Sequence, residues 1–81
     1  MSSYIEYNGR RLGDLRTEGI DKYAFVSFGL EDLIGLFQLG DDEKVELAGE
    51  SMTVADLKAN YLTKIVFYPD IGSYMQAKRL S

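Results

Sequence analysis

The chain has 81 residues, 46% of them hydrophobic and 27% charged, with a net charge of −4 and with neither cysteine nor histidine. That balance gives one folding domain rather than a disordered tail, of modest stability because a domain this small buries only about two-thirds of its unfolded surface. The missing residues exclude thiolate nucleophiles, iron–sulfur and zinc–thiolate sites and imidazole chemistry, and the acidic balance disfavours a phosphate backbone as partner.

The opening Met1-Ser2-Ser3-Tyr4-Ile5-Glu6 has no basic n-region and no long apolar h-region. No apolar run approaches the ~20 residues that span a bilayer, so a cytoplasmic protein without a membrane partner is expected. Ile5-Glu6-Tyr7 alternates as a strand, and Asn8-Gly9 accepts the positive φ angles of a type I′ turn, so the chain reverses there. Gly13 and Gly19 bracket Asp14 to Glu18, which the spacing assigns to a helix of one turn. Tyr23 to Phe28 is an aromatic, β-branched strand.

Leu30 to Leu39 forms an amphipathic helix, with Leu30, Leu33, Ile34 and Phe37 at i, i+3, i+4 and i+7 facing the core and Gly40 as its stop. That choice of face leaves Leu36 on the flank and Leu39 opposite, both outside the core. Thr53 caps a second helix whose Asp56 completes a Thr-x-x-Asp variant of the capping box, with Val54, Leu57 and Tyr61 on one side. Thr63 to Tyr68 is a strand that Pro69 ends. Residues 70–81 fit an edge strand, a short helix or a loose tail, and composition leaves the three open.

Residues 4–28 and 44–68 align in order. Tyr4-Ile5-Glu6-Tyr7-Asn8-Gly9 matches Lys44-Val45-Glu46-Leu47-Ala48-Gly49; Asp14-Leu15-Arg16 matches Asp56-Leu57-Lys58; Phe25 matches Phe67. The expected fold is therefore α+β, one domain over 1–81. It has about four main β-strands and two or three short helices, arranged as two weakly similar β-turn-α-β halves joined by the helix over 30–39 and followed by the tail 70–81.

The run Lys22-Tyr23-Ala24-Phe25-Val26-Ser27-Phe28 resembles the aromatic strand motif of RNA recognition motifs with its glycine missing. That resemblance implies base stacking by Tyr23 and Phe25. Only 22 residues precede Tyr23 and no basic cluster flanks the strand, so the run is read as a core strand.

Charge is concentrated in residues 31–50, where Glu31, Asp32, Asp41, Asp42, Glu43, Glu46 and Glu50 face Lys44 alone, a net −6 in a chain of −4. The remainder is slightly basic. Gly40-Asp41-Asp42-Glu43 lacks the alternating ligand spacing of a calcium loop, so no metal or cofactor is expected. Glycines 29, 35 and 40 form no phosphate-binding pattern, and Ser27, Ser51 and Ser73 have no histidine or correctly spaced lysine to activate them. The sequence expectation is a non-enzymatic protein-binding or assembly module. Its candidate partner-binding residues are Glu31, Asp32, Leu36, Leu39, Asp41, Asp42 and Glu43, and its partner is a protein with a basic surface or a second copy of itself. Two alternatives stand beside it: a small phage or mobile-element inhibitor docking on a nucleic-acid-binding enzyme, and single-stranded RNA binding on an aromatic sheet.

Overall fold

The computed structural model describes residues 2–80. In chain order these form β1 (Ser2–Tyr7), β2 (Arg10–Gly19), β3 (Lys22–Ser27), α1 (Leu30–Gln38), β4 (Lys44–Leu47), β5 (Glu50–Thr53), α2 (Val54–Asn60), a 3-10 turn (Leu62–Lys64), β6 (Ile65–Tyr68) and α3 (Ile71–Leu80). The strands make one sheet in the order β5-β4-β1-β2-β3-β6. The α+β class is as expected, with six strands in place of four.

Asn8 and Gly9 take φ angles of 52° and 79°, the turn that their residue types dictate, and join β1 to β2. Ala48 and Gly49, at 55° and 83°, make a second turn of the same sign between β4 and β5. The two hairpins fall at the positions that align in sequence. They also meet in the sheet, because β1 and β4 are antiparallel neighbours with Glu6 opposite Glu46. Arg11, 3.5 Å from Glu6, offsets those facing like charges.

Between hairpin and last strand the halves diverge. The one-turn helix expected over Asp14 to Glu18 does not form; β2 is a single ten-residue strand paired to β1 on one side and β3 on the other. Five residues gain little from one helical turn, whereas a strand flanked on both sides satisfies its backbone groups throughout. Leu15 and Thr17 alternate with Asp14 and Arg16, a period of two. Gly13 is a contact position rather than a helix boundary. A Cβ there would lie 2.5 Å from the Phe25 ring and 2.7 Å from the Val26 carbonyl oxygen, so glycine is what lets Phe25 cross β2.

One face of the sheet carries the main core, where Ile5, Leu12, Leu15, Phe25, Val45 and Leu47 meet Leu36 of α1 and Val54 and Leu57 of α2. Thr53 caps α2 as its sequence indicates, accepting the Asp56 N–H at 3.1 Å. The C-terminal segment resolves as a helix. Asp70 caps it by accepting the Ser73 N–H at 2.7 Å, and Tyr74 packs on Ala24, Val26 and Tyr68 against the opposite face. Glu18 of β2 holds α3 from below. It accepts from the Tyr74 hydroxyl at 3.0 Å and pairs with Lys78 at 2.6 Å.

Candidate functional site

α1 starts at Gly29, whose carbonyl accepts the N–H groups of Asp32 and Leu33 at 3.1 Å. The buried Ser27 hydroxyl accepts from the Gly29 N–H at 2.9 Å and lies 3.2 Å from the Pro69 carbonyl oxygen. The beginning of α1 is thereby tied to the end of β6.

The helix lies on the sheet through Leu33, Leu36 and Leu39, and Leu36 is 2% exposed. Leu30, Ile34 and Phe37 point outward, at 60%, 46% and 57% exposure. This corrects the expected orientation: Leu36 belongs to the core, Leu39 packs against it, and of the expected core face only Leu33 is inside. The physical reason is Asp32. An acid on the 33-36-39 side argues against burying that side, but Arg10 reaches Asp32 at 2.7 Å and leaves its side chain 12% exposed. With that charge matched, the sheet takes the face that carries it.

Three of the seven acids of residues 31–50, Asp32, Asp41 and Glu43, are engaged within the fold. Asp41 pairs with Lys58 of α2 at 2.6 Å. Glu43 accepts from the Tyr7 hydroxyl at 2.6 Å and from the Gly40 N–H at 3.1 Å. That hydrogen bond, with burial and the carboxylate's charge adding to it, raises the Tyr7 pKa above the usual phenol value. Glu31 and Asp42 are exposed and make no ion pair among the described residues. Glu31, Asp32 and Leu39 are brought together with Tyr7 and Arg10 around a shallow cleft of about 340 Å³.

The surface that sequence reasoning missed lies on the outer side of α1 and continues onto β6. Leu30, Ile34 and Phe37 form an i, i+4, i+7 stripe. The Phe37 ring sits 4.8 Å from that of Phe67, centroid to centroid. Among the described residues β6 pairs only with β3, in parallel, and its other edge is open. The two sheet edges differ in kind: β5 is Glu50-Ser51-Met52-Thr53, whereas β6 is Ile65-Val66-Phe67-Tyr68. Polar residues guard the first against strand addition, whereas the second is apolar and aromatic throughout between Lys64 and Pro69. Pro69 was the available signal, since proline next to a strand favours an edge position.

Tyr23 and Phe25 face the helices. Phe25 is fully buried, and Tyr23 packs edge-on against Tyr61 at 5.5 Å, so the aromatic run is a core strand as expected. Among the described residues no helix is long and apolar enough to cross a membrane, and no group of three or more acidic side chains is placed to hold a metal ion. No known protein family, curated protein or solved structure matches the chain.

Proposed function

We propose that the chain is a non-enzymatic assembly module that pairs with a second copy of itself through the outer stripe of α1 and the open edge of β6. The observation that carries this reading is the continuity of the two features across the Phe37–Phe67 contact. An apolar helix stripe and an unguarded edge strand side by side offer both buried area and backbone hydrogen bonds to one partner.

Self-pairing is favoured over a foreign partner by the charges at the two ends of β6. Lys64, 3.4 Å from Asp21, precedes the strand and Asp70, the cap of α3, follows it, both at exposed positions. An antiparallel β6–β6 contact sets the lysine of each copy toward the aspartate of the other. A standard interface takes about 800 Å² from each partner, roughly a seventh of this chain's 5276 Å² surface. The acids placed in the site by sequence act mainly inside the fold in this reading, with Glu31 and Asp42 left at the rim. The cytoplasm remains the proposed compartment.

Sedimentation velocity across a concentration series tests the proposal. The wild-type chain is expected to move from 9.1 kDa toward twice that mass as concentration rises. An Ile34→Glu, Phe37→Ser double variant is expected to stay monomeric with an unchanged circular dichroism spectrum. A wild-type chain that remains monomeric at tenth-millimolar concentration, or a double variant that still dimerises, overturns it.

A further inference from the structure

Glu31, Gly35 and Gln38 share a side of α1 about a quarter turn from the Leu30-Ile34-Phe37 stripe. That side borders the cleft of about 340 Å³ between the helix and the β1–β2 hairpin, and Gly35 lines it from the middle of the helix. Glycine inside a helix costs stability relative to alanine. Tight packing is one reason to keep such a glycine, as at Gly13, but a Cβ on Gly35 would meet nothing within 4 Å. What the missing side chain does is leave the cleft open down to the helix backbone.

The cleft carries both signs of charge on accessible side chains. Arg10 meets Asp32 through Nη2 at 2.7 Å, and its side chain is 69% exposed, so the rest of its donor fork is open to a second acceptor. Glu31 is exposed and makes no ion pair among the described residues. Gln38, exposed beside them, offers an amide that both donates and accepts. Leu12 and Leu39 add apolar wall.

A ligand that fits must match donors and acceptors at once. A simple cation is repelled by Arg10, and a simple anion by Glu31 and Asp32. The volume lies near the lower end for small-molecule sites, which suits one compact molecule rather than a peptide. We infer that this cleft binds a free α-amino acid with an apolar side chain. Its carboxylate lies on the Arg10 guanidinium, its ammonium on Glu31, and its side chain over Leu12, Leu39 and the bare backbone at Gly35. Such a zwitterion brings no net charge and meets each charged group with its opposite. Arg10 then holds two carboxylates, that of Asp32 and that of the ligand, which a planar fork of five N–H donors can do. The site is independent of self-pairing, which uses the other stripe of α1.

The test is a nitrogen-15 amide titration of the full chain with L-leucine, glycine, leucinamide and N-acetylleucine at matched pH and ionic strength. Leucine is expected to give saturable shifts at Arg10, Gly35, Gln38 and Leu39 while the amides of α3 stay in place. Leucinamide lacks the carboxylate and N-acetylleucine the ammonium, so each is expected to bind about tenfold or more weakly, the loss of one charge-assisted hydrogen bond. Glycine, without the apolar side chain, is expected to be weaker by a similar factor. Gly35→Leu sends its side chain into the open space and is expected to abolish binding. Gly35→Ala is expected to weaken binding severalfold in a chain that unfolds at higher urea, a combination that a glycine kept only for structure does not give. Glu31→Gln, at an exposed position, is expected to weaken binding about tenfold and decides the matter if Gly35→Leu does not fold. The proposal is overturned by absent saturation up to the solubility of leucine, by any of the three analogues binding as tightly as leucine, or by Gly35→Leu or Glu31→Gln binding unchanged.

Discussion

Separate replacements of Leu36 and Ile34 by alanine decide which side of α1 faces the sheet. Leu36 is 2% exposed and Ile34 is 46% exposed. Truncating a buried leucine to alanine costs about 2–5 kcal/mol, from the lost transfer energy and the cavity left behind. Ile34 already has nearly half its surface in water, so its truncation loses about 1 kcal/mol of burial and recovers a few tenths from alanine's helix propensity. A chain of 81 residues has a total stability on the order of 4–12 kcal/mol, so the Leu36→Ala loss removes a large fraction of it. With a urea m-value of about 1 kcal/mol/M, Leu36→Ala lowers the unfolding midpoint by about 2 M or more and Ile34→Ala by about 0.5 M. Six tyrosines and no tryptophan make tyrosine fluorescence with far-ultraviolet circular dichroism the natural readout. Low protein concentration keeps self-association from contributing. Equal costs at the two positions, or a larger cost at Ile34, would refute the orientation of the helix.

Gly13→Ala is expected to destabilise by about 1–3 kcal/mol or more, because the new methyl meets the Val26 carbonyl and the Phe25 ring, neither of which can retreat. Gly35→Ala is the control: nothing lies within 4 Å of its Cβ position, and the same urea titration should show a gain of up to about 1 kcal/mol from helix propensity. Acid should loosen α3. The hydrogen bond from Lys78, supported by the Tyr74 hydroxyl, lowers the Glu18 pKa below the usual carboxylate value. A depressed carboxylate adds stability above its unfolded pKa and loses it as pH falls through the folded one. The protection of α3 amides, taken against the intrinsic exchange rate at each pH, should therefore fall in that acidic window more than that of α2 does. Glu18→Gln should remove the difference.

Local chemistry in the sequence was enough for the turns and the caps. Asn8-Gly9 and Thr53–Asp56 act where they stand, because a turn or an N-cap is settled by two to four neighbouring residues. Asp14 to Glu18 was harder. Flanking glycines resemble helix limits, and only the pairing with β1 on one side and β3 on the other shows that the segment belongs to a sheet. The face of α1 was ambiguous for a similar reason. Leu30, Ile34 and Phe37 make one apolar stripe and Leu33, Leu36 and Leu39 another, so periodicity has two solutions. The choice turned on Arg10, twenty-two positions before Asp32 and invisible to any window over the helix. The acidic run was legible as composition but not as structure: partners such as Tyr7 and Lys58 show its side chains bracing the fold.

The strand order also fixes how the molecule must be completed during synthesis. β1, β2 and β3 leave the ribosome first and form the middle of the sheet, while β4-β5 and β6, made later, are added to opposite sides of it. A meander closed by short hairpins needs no distant residue, so the centre is able to organise early. Its outer strands then wait, β1 for Glu46 and Leu47 and β3 for Ile65 to Tyr68. For that interval the nascent chain exposes two unpaired borders, and Phe25 has neither Leu57 nor Phe67 beside it. The stretch from β4 to β6 thus acts as a clasp that arrives after what it protects, and a stall in translation before Tyr68 leaves the centre of the sheet open to misassembly.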